Sequence, residues 1–378
     1  MRPADVFCKH KRWVIPFLLA LAVWTILLPT SANSQPTRAL EPIVVDAAGR
    51  GFVQSVSQRP FRPWGFNYDH DAEGRLLEDY WHTEWPLVES HFRKMRLLGA
   101  NVVRIHLQFG RFCPEPGMVA KKELDQLEKL VALAEREGLY LDLTGLGCYH
   151  KADVPAWYDA LNEADRWKAQ AAFWSAVAGR VAKSGAIFCY DLMNEPVVSG
   201  GKRPAGDWLG PPFAGKHFVQ FVALDPQSRP RPDVAREWIE TLVRAIRKVD
   251  DRHLITVGMV DWSLDRPGLT SGFVPAKVSE KLDFLSVHLY PEKGKLAEAQ
   301  ETLRLFADVG KPVVIEETFP LKSGFEEFEL FLDQSTEKSA GVIGFFWGES
   351  PADLRPPKSI GQAITLQWLE LFERRAKK

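Results

Sequence analysis

The feature that most constrains the fold is a regular alternation of short apolar runs with longer amphipathic stretches, from residue 63 to residue 375. The apolar runs are typical of strands that are covered on both faces. Such an alternation favours a parallel sheet whose strands are connected by crossover helices. Eight candidate strands are residues 63–67, 101–106, 139–144, 186–193, 254–260, 282–287, 312–317 and 342–347.

The stretches between these strands carry apolar residues at three- and four-residue spacing, which predicts helices. The candidate helices are residues 87–98, 121–137, 166–182, 234–248, 295–309, 324–338 and 360–375, and only a short segment, 274–281, follows the fifth strand. Residues 42–60 predict a small hairpin that turns at Gly49–Arg50–Gly51. With no fixed repeat and no internal linker, we expect one α/β domain over residues 36–378, a (β/α)8 TIM barrel with an N-terminal hairpin.

The N-terminal segment has the layout of a secretory signal peptide over residues 1–35. Lys9, Lys11 and Arg12 precede an uncharged apolar run over residues 13–28, and small residues follow it. An uncleaved membrane anchor is the alternative, because the run is long for a signal and short for a span. Both readings predict a secreted, periplasmic or extracellular protein, with no membrane partner beyond such an anchor.

Charge and cysteine content exclude several functions. Lys and Arg total 48 against 49 for Asp and Glu, so the chain lacks the excess of positive charge that is typical of nucleic-acid-binding proteins. Beyond the signal, Cys113, Cys148 and Cys189 allow at most one intramolecular disulfide. We expect Cys113 and Cys148 to pair because both follow predicted strands, and Cys189 to be buried in a strand. No Cys and His spacing resembles a zinc site.

The longest connection runs from about residue 196 to residue 233 and is rich in Gly and Pro. It contains Trp208, Phe213 and Phe218 and follows the strand that carries Glu195. A loop of this length in a compact domain is usually functional. We therefore expect it to form one wall of a cleft.

Active-site residues of such barrels lie at the C-terminal ends of the strands. The residues at those ends are Asn67, Arg104, Asn194, Glu195, His288, Tyr290, Glu317 and Trp347. Two of them, Glu195 and Glu317, are carboxylates on different strands. Cleavage of a glycoside needs one carboxyl group that protonates the leaving oxygen and one carboxylate that attacks the anomeric carbon.

Five short motifs occur in order and at barrel spacing. They are Asn194-Glu195-Pro196 after an apolar strand, Lys311-Pro312 followed by aliphatics and Glu317, His288-Leu289-Tyr290, Asn101-Val102-Val103-Arg104, and Trp347 at the end of the eighth strand. Each motif alone is weak. Together they resemble glycoside hydrolase family 5, the cellulase and mannanase group of the retaining barrel clan.

The resemblance implies a role for both carboxylates. Glu195 matches the acid/base, Glu317 matches the nucleophile, and Asn194 would hydrogen-bond the 2-hydroxyl of the sugar that is cleaved. The implied reaction is a double displacement, for which we expect carboxyl groups roughly 5–5.5 Å apart. A bell-shaped pH profile whose limbs belong to the coupled pair is also expected.

The resemblance also implies supporting residues. Arg104 and Tyr290 would hold Glu317 ionised and oriented, His288 would lie near Glu195, and Trp347 would form the floor under the sugar. It implies neither a metal nor an organic cofactor. Six further residues near strand ends are open candidates for the cleft: Asn67, His106, Asp142, His150, Trp262 and Glu349.

Some residues depart from the family pattern. Side chains alternate along a strand, so only one of the adjacent Glu316 and Glu317 is expected to point into the barrel mouth. The family register selects Glu317, which leaves Glu316 facing the helices or a salt-bridge partner. Many members carry a His at the end of the third strand, where this chain has residues 141–145 without one, and Thr318-Phe319-Pro320 replaces the usual residues after the nucleophile.

The sequence therefore predicts a hydrolase of β-linked oligo- or polysaccharides of the β-glucan or β-mannan type, endo-acting and monomeric. The alternative is a carbohydrate-binding barrel without activity, which would be expected to have lost one of the two carboxylates. A serine esterase is disfavoured because no Gly-x-Ser-x-Gly motif occurs.

Overall fold

The computed structural model describes residues 39–345 and 347–377, so the predicted signal peptide lies outside the described residues. Among the residues it describes, no helix has the length and apolar character needed to cross a membrane.

The described part of the chain contains short outer strands as well as the barrel strands. In chain order the strands are β1 (Ile43–Val45), β2 (Phe52–Gln54), β3 (Pro60–Phe61), β4 (Trp64–Tyr68), β5 (Val102–Gln108), β6 (Tyr140–Gly147), β7 (Ile187–Asn194), β8 (Pro196–Val198), β9 (Gln220–Ala223), β10 (Leu254–Val260), β11 (Leu285–His288), β12 (Val313–Glu317) and β13 (Gly341–Gly344).

Helices connect these strands on the outside. They are α1 (Leu77–Tyr80), α2 (Trp85–Leu97), α3 (Phe109–Phe112), α4 (Lys121–Glu137), α5 (Ala156–Asp159), α6 (Glu163–Val181), α7 (Arg231–Arg247), α8 (Pro275–Val278), α9 (Leu296–Ala307), α10 (Phe325–Ser335) and α11 (Ile360–Ala376). Short 3-10 turns lie at Lys151–Asp153, Asp261–Ser263 and Ser279–Lys281.

The predicted (β/α)8 barrel is confirmed. Eight parallel strands close in the order β4-β5-β6-β7-β10-β11-β12-β13 and back to β4. Each coincides with a predicted strand, although β13 ends at Gly344, before Trp347. Only α8 and two 3-10 turns separate β10 from β11, where the sequence also predicted just one short segment.

Helix α4 shows how the sequence sets the outer layer. Leu127, Leu130, Val131 and Ala134 lie on its buried face, while charged residues face solvent. The helix ends at Gly138, whose φ of 70° is the left-handed conformation that glycine adopts without a steric penalty.

The N-terminal hairpin closes one end of the barrel. β1 pairs with β2 and β2 with β3, both antiparallel. The Phe52 ring lies 5.2 Å from Phe188 and 5.3 Å from Phe284, in edge-to-face contacts at the start of the barrel strands. Because this end is filled with apolar side chains, the opposite end, where the strands terminate, remains the open one.

The long connection after Glu195 is partly regular. β8 and β9 form a parallel pair, and α7 begins at Arg231. The Asn194 amide nitrogen donates to the Phe218 carbonyl at 3.1 Å, which fastens the connection to the end of β7.

The expected disulfide is corrected. Cys113 and Cys148 are free thiols in this structure, and both are buried. The short helix α3 lies between β5 and Cys113, so this residue does not directly follow its strand as expected. Burial raises the pKa of each of these two thiols to about 12, so neither is a reactive thiolate near neutral pH. Cys189 is buried in β7, as predicted.

We predict that Gly65→Ala lowers the free energy of unfolding by about 3 kcal/mol or more. A Cβ at Gly65 would lie 1.9 Å from the Val102 carbonyl oxygen, and backbone of a neighbouring barrel strand cannot move aside cheaply. Gly324→Ala is the control, because a Cβ there meets no atom within 4 Å. Urea unfolding of both variants measures the difference, and equal midpoints would contradict the prediction.

Candidate active site

Glu195 lies directly after β7, at the open end of the barrel. Its φ is +47°, a left-handed backbone conformation that is uncommon for a residue with a side chain. Its backbone N–H donates to the Gly258 carbonyl at 2.9 Å, which ties this strained residue to β10. Such conformations persist only where the surroundings impose them, and they cluster at functional sites.

Glu317 ends β12 and faces Glu195. Arg104 Nη1 donates to one of its carboxylate oxygens at 2.6 Å, and the Tyr290 hydroxyl donates to the other at 2.8 Å. One carboxylate oxygen each of Glu195 and Glu317, together with a ring nitrogen of His288, lie within 4.8 Å of one another. The two carboxylates therefore lie close enough to address a single bond of a substrate.

Arg104 is fully buried beneath this pair. Besides Glu317, its guanidinium donates to Asn67 at 2.8 Å, to Asp191 at 2.7 Å and to Asn194 at 3.0 Å. Burial opposes the charge, but nearby carboxylates hold the pKa of Arg104 well above its usual value. Arg104 therefore remains a cation that connects the ends of β4, β5, β7 and β12.

His288 lies between three glutamates. Its Nδ1 is 3.1 Å from Glu195 Oε1 and 3.6 Å from Glu317 Oε2, and its Nε2 is 3.3 Å from Glu316 Oε2. Burial lowers the pKa of His288, but these carboxylates more than compensate and raise it to about 10. His288 is thus an imidazolium at neutral pH, and both ring nitrogens can donate.

The expectation that only one of the two adjacent glutamates points into the barrel is wrong, although Glu316 does face salt-bridge partners, Arg104 and His288. Pairing of β11 with β12 passes from Val287–Ile315 to His288–Glu317, so Glu316 is skipped. This irregularity interrupts the alternation of side chains and turns both adjacent glutamates inward. Glu316 does not face the helices; it lies in the barrel interior beneath Glu317.

Inside the barrel, Glu316 accepts a hydrogen bond from Ser286 at 2.8 Å and lies 3.6 Å from Arg104 Nη2. Burial would raise the pKa of its carboxyl group, yet Arg104 and His288 lower it to about 2. For Glu317 burial prevails and raises the pKa, with His288 and Arg104 opposing. Glu316, which lies deeper in the barrel, is therefore more firmly ionised than Glu317.

Gly258 on β10 makes room for this network. A Cβ there would lie 3.0 Å from both Arg104 Nη2 and His288 Nε2, and 3.1 Å from Glu316 Oε2. A side chain at Gly258 would therefore press on the two cations and on the carboxylate that they share.

A second acidic group, Asp142, Asp191 and Glu316, has oxygens within 4.8 Å of one another. Both this group and the one around His288 have the donor types that a metal ion accepts. However, Arg104 contacts two of the three acids here, and burial together with Glu316 raises the pKa of Asp142 well above its usual value. The guanidinium thus offsets negative charge at this position, and the raised pKa of Asp142 favours its neutral form.

The expectation that Trp347 forms a floor under the sugar is corrected. Its side chain is fully buried and packs edge-on against Phe66 and His91, 5.5 and 5.8 Å away, between the barrel and α2. β13 ends at Gly344, and Phe345 follows it at the mouth of the barrel. Phe345 therefore supplies an aromatic surface near the carboxylates.

A cavity of about 300 Å³ opens beside the two carboxylates, and we call it the apolar arm. It is lined by Glu195, Pro211, Phe213, Phe218, Val219, Tyr290, Glu317, Phe319, Leu321 and Phe345. Four of these residues belong to the long connection after β7, so that loop forms a wall of the cleft, as predicted.

The six open candidates separate into groups. Asn67 and His106 lie beneath the site, with His106 Nε2 at 3.2 Å from the Asn67 oxygen, and Asp142 belongs to the buried acidic group. Trp262 lines a neighbouring cavity that shares Tyr290 with the apolar arm. His150 and Glu349 are not among the lining residues of these two cavities.

Three residues of the site, Asp191, Tyr149 and Phe345, were not predicted from the sequence. Tyr149 contacts His106, and Asp191 binds Arg104. A charged residue within the apolar run 186–193 was the available signal for Asp191. Nothing local distinguished Phe345 from the aromatic residues that follow it.

Comparison with known proteins identifies the family. The sequence model of the cellulases, glycosyl hydrolase family 5, matches residues 57–349, which include all the strands of the barrel. The chain belongs to glycosyl hydrolase family 5.

The chain also resembles two fungal proteins. It is 26% identical over 260 residues to mannan endo-1,4-beta-mannosidase A of Emericella nidulans and 25% identical over 271 residues to that of Aspergillus aculeatus. These matches cover 61% of this chain in both cases, but only 59% and 62% of the two fungal proteins. The chain thus spans about three fifths of the length of these relatives.

Solved structures agree on the fold. An exo-beta-1,4-mannosidase from Opitutaceae bacterium strain TAV5 superposes with a TM-score of 0.61 at 19% identity, covering 88% of this chain and 62% of that one. An endo-1,4-beta-mannanase from Rhizomucor miehei superposes with a TM-score of 0.61 at 17% identity, covering 89% of this chain and 100% of that one. At such identities the likeness demonstrates the shared barrel alone.

We predict that His288 makes the stability of this family 5 barrel fall at alkaline pH. Its folded pKa of about 10 exceeds the unfolded value near 6.5, so its contribution is complete below pH 6.5 and is lost as the pH rises through 10. Across this pH window, the free energy of unfolding of the wild type should fall by on the order of 4 kcal/mol relative to that of His288→Asn. Chemical unfolding at successive pH values measures it, with His150→Asn as the control; parallel curves for wild type and His288→Asn would refute it.

Proposed function

We propose that the chain is a retaining β-glycoside hydrolase that acts on β-mannan-type glycans. The observation that carries the proposal is the pairing of Glu195 with Glu317, whose carboxylate oxygens approach within 4.8 Å. Retaining enzymes need closely spaced carboxyl groups, whereas inverting enzymes leave room between them for water.

In the first step Glu317 attacks the anomeric carbon, and Glu195 protonates the departing oxygen. Arg104 and Tyr290 each donate to a different oxygen of Glu317, which orients the carboxylate and favours its ionised form. As the covalent bond forms, the negative charge on Glu317 is lost, and its carbonyl oxygen remains as the acceptor for a hydrogen bond.

In the second step Glu195, now ionised, removes a proton from water, and the water oxygen displaces Glu317 from the anomeric carbon. The protonated His288 contacts Glu195 at 3.1 Å and stabilises its negative form at this stage. The sugar leaves with the configuration it had in the substrate.

The substrate class rests on the relatives and on the form of the cleft. The fungal proteins that resemble this chain are named mannan endo-1,4-beta-mannosidases, which supports an endo-acting mannan hydrolase over a β-glucanase. Asn194 lies beside Glu195, with its amide held by Arg104 and Phe218, where it could address the 2-hydroxyl that distinguishes mannose from glucose.

A carbohydrate-binding barrel without activity is the second candidate. The completeness of the site argues against it, because both carboxylates, the two donors to Glu317 and the histidine beside Glu195 are all in contact distance. From the N-terminal segment we also propose that the protein acts outside the cytoplasm. We further propose that it is a monomer.

We predict that Glu317→Ala lowers kcat on mannan by at least about 10⁴-fold, because it removes the nucleophile. Reducing-sugar release and product sizing on a panel of β-mannans, β-glucans and their oligosaccharides measure the effect. Glu349→Ala is the matched control, since Glu349 does not line the cleft cavities. A wild type that digests no member of the panel would support the binding-only candidate.

We predict net retention at the anomeric centre. Proton NMR of a digest followed from the first minutes should show the β-anomer of the new reducing end appearing before mutarotation produces the α-anomer. Initial accumulation of the α-anomer would exclude Glu317 as a nucleophile.

A further inference from the structure

Two cavities of opposite character meet at Tyr290. The apolar arm contains the catalytic pair, and the second cavity, of about 350 Å³, is rich in charged residues such as Asp261, Arg266, Glu292 and Lys295. We call the second cavity the polar arm. Of these two cavities, the apolar arm is the one that both carboxylates line.

The apolar arm is poorly suited to a sugar. Apart from the two carboxylates and the Tyr290 hydroxyl, which is engaged by Glu317, its lining side chains offer no hydrogen-bonding group. A sugar ring presents several hydroxyl groups, and its binding sites combine apolar faces with placed polar groups. The polar arm offers that combination with Trp262 and its charged neighbours.

The rim of the apolar arm exposes large apolar side chains. Phe213 is 64% exposed and Leu321 is 56% exposed, although exposure of such groups to water is unfavourable. The two residues come from different connections, one after β7 and one after β12.

Both rim residues are held in place by backbone hydrogen bonds. Phe213 and Lys216 exchange two, at 2.8 and 2.9 Å, across a tight turn in which Ala214 and Gly215 have positive φ. The Leu321 N–H donates to the Phe319 carbonyl at 2.7 Å. The apolar surface is therefore presented in advance and needs little ordering on binding.

We propose that the apolar arm binds an apolar aglycone, an alkyl or aryl group joined through the bond that is cleaved, while the sugar lies on the other side of that bond. This proposal rests on the proposed function, because the aglycone reaches the arm only when its glycosidic bond lies between Glu195 and Glu317. The preferred substrate is then an amphiphilic β-glycoside.

The test compares hexyl with methyl β-mannobioside, and the same two aglycones on β-cellobiose. The two alcohols are similar as leaving groups, so a difference in kcat/KM for alcohol release reports binding of the alkyl chain. Since each buried methylene group contributes about 0.8 kcal/mol, we expect the hexyl glycoside to be favoured by at least about tenfold. Equal values within about twofold would overturn the proposal and leave the proposed hydrolase function intact.

Two substitutions locate the effect. Leu321→Ser and Phe213→Ser should each reduce the hexyl-to-methyl ratio by at least about threefold, since they remove apolar surface from the rim. Leu330→Ser is the matched control, because Leu330 is 46% exposed on α10 and does not line the cleft cavities. A ratio that is unchanged in both rim variants would also overturn the proposal.

Failure of the proposed function would be distinguishable. If no glycoside is hydrolysed, calorimetry with the wild-type protein compares the binding of the hexyl and methyl glycosides without turnover. Tighter binding of the hexyl compound supports the apolar site, and equal or absent binding overturns it. Adsorption of the protein to phosphatidylcholine vesicles that both rim variants abolish, without hexyl preference, would instead identify the rim as a membrane contact.

Discussion

The buried guanidinium of Arg104 is the interaction on which the rest of the site depends. A cation without solvent is tolerated only where carboxylates and hydrogen-bond acceptors surround it. Asp191 and Glu317 supply the charges, and Asn67 and Asn194 supply the neutral acceptors. Because these partners come from different strands, satisfying Arg104 also fixes the ends of those strands, and Glu317 with them.

The two catalytic candidates differ in their surroundings, and this difference assigns their roles. Glu317 is almost enclosed and receives two donors, whereas Glu195 is more exposed and contacts His288 alone among these groups. The two donors oppose the effect of burial on the pKa of Glu317 and orient its carboxylate for attack. A carboxyl group that is open to solvent can exchange its proton with water, as an acid/base must do in each cycle.

Family membership and substrate choice depend on different parts of the molecule. The family match spans the whole barrel, whereas the long connection after β7 and the segment after Glu317 form the walls of the cleft. Loops can change without disturbing the buried network beneath them, which is how one barrel supports many specificities. The apolar arm is such a loop-built feature.

The sequence alone determined the eight-stranded barrel and the placement of Glu195, Glu317 and Arg104, because apolar periodicity reports which strands are buried and parallel strands end at one face. Only the tertiary structure decided that Glu316 turns inward, since the irregular register of β12 is set by its neighbour β11 rather than by local sequence. The position of Trp347 was likewise decided only by the tertiary structure. Its burial against α2 follows from where β13 ends, and strand ends are fixed by packing between elements that are distant in the chain.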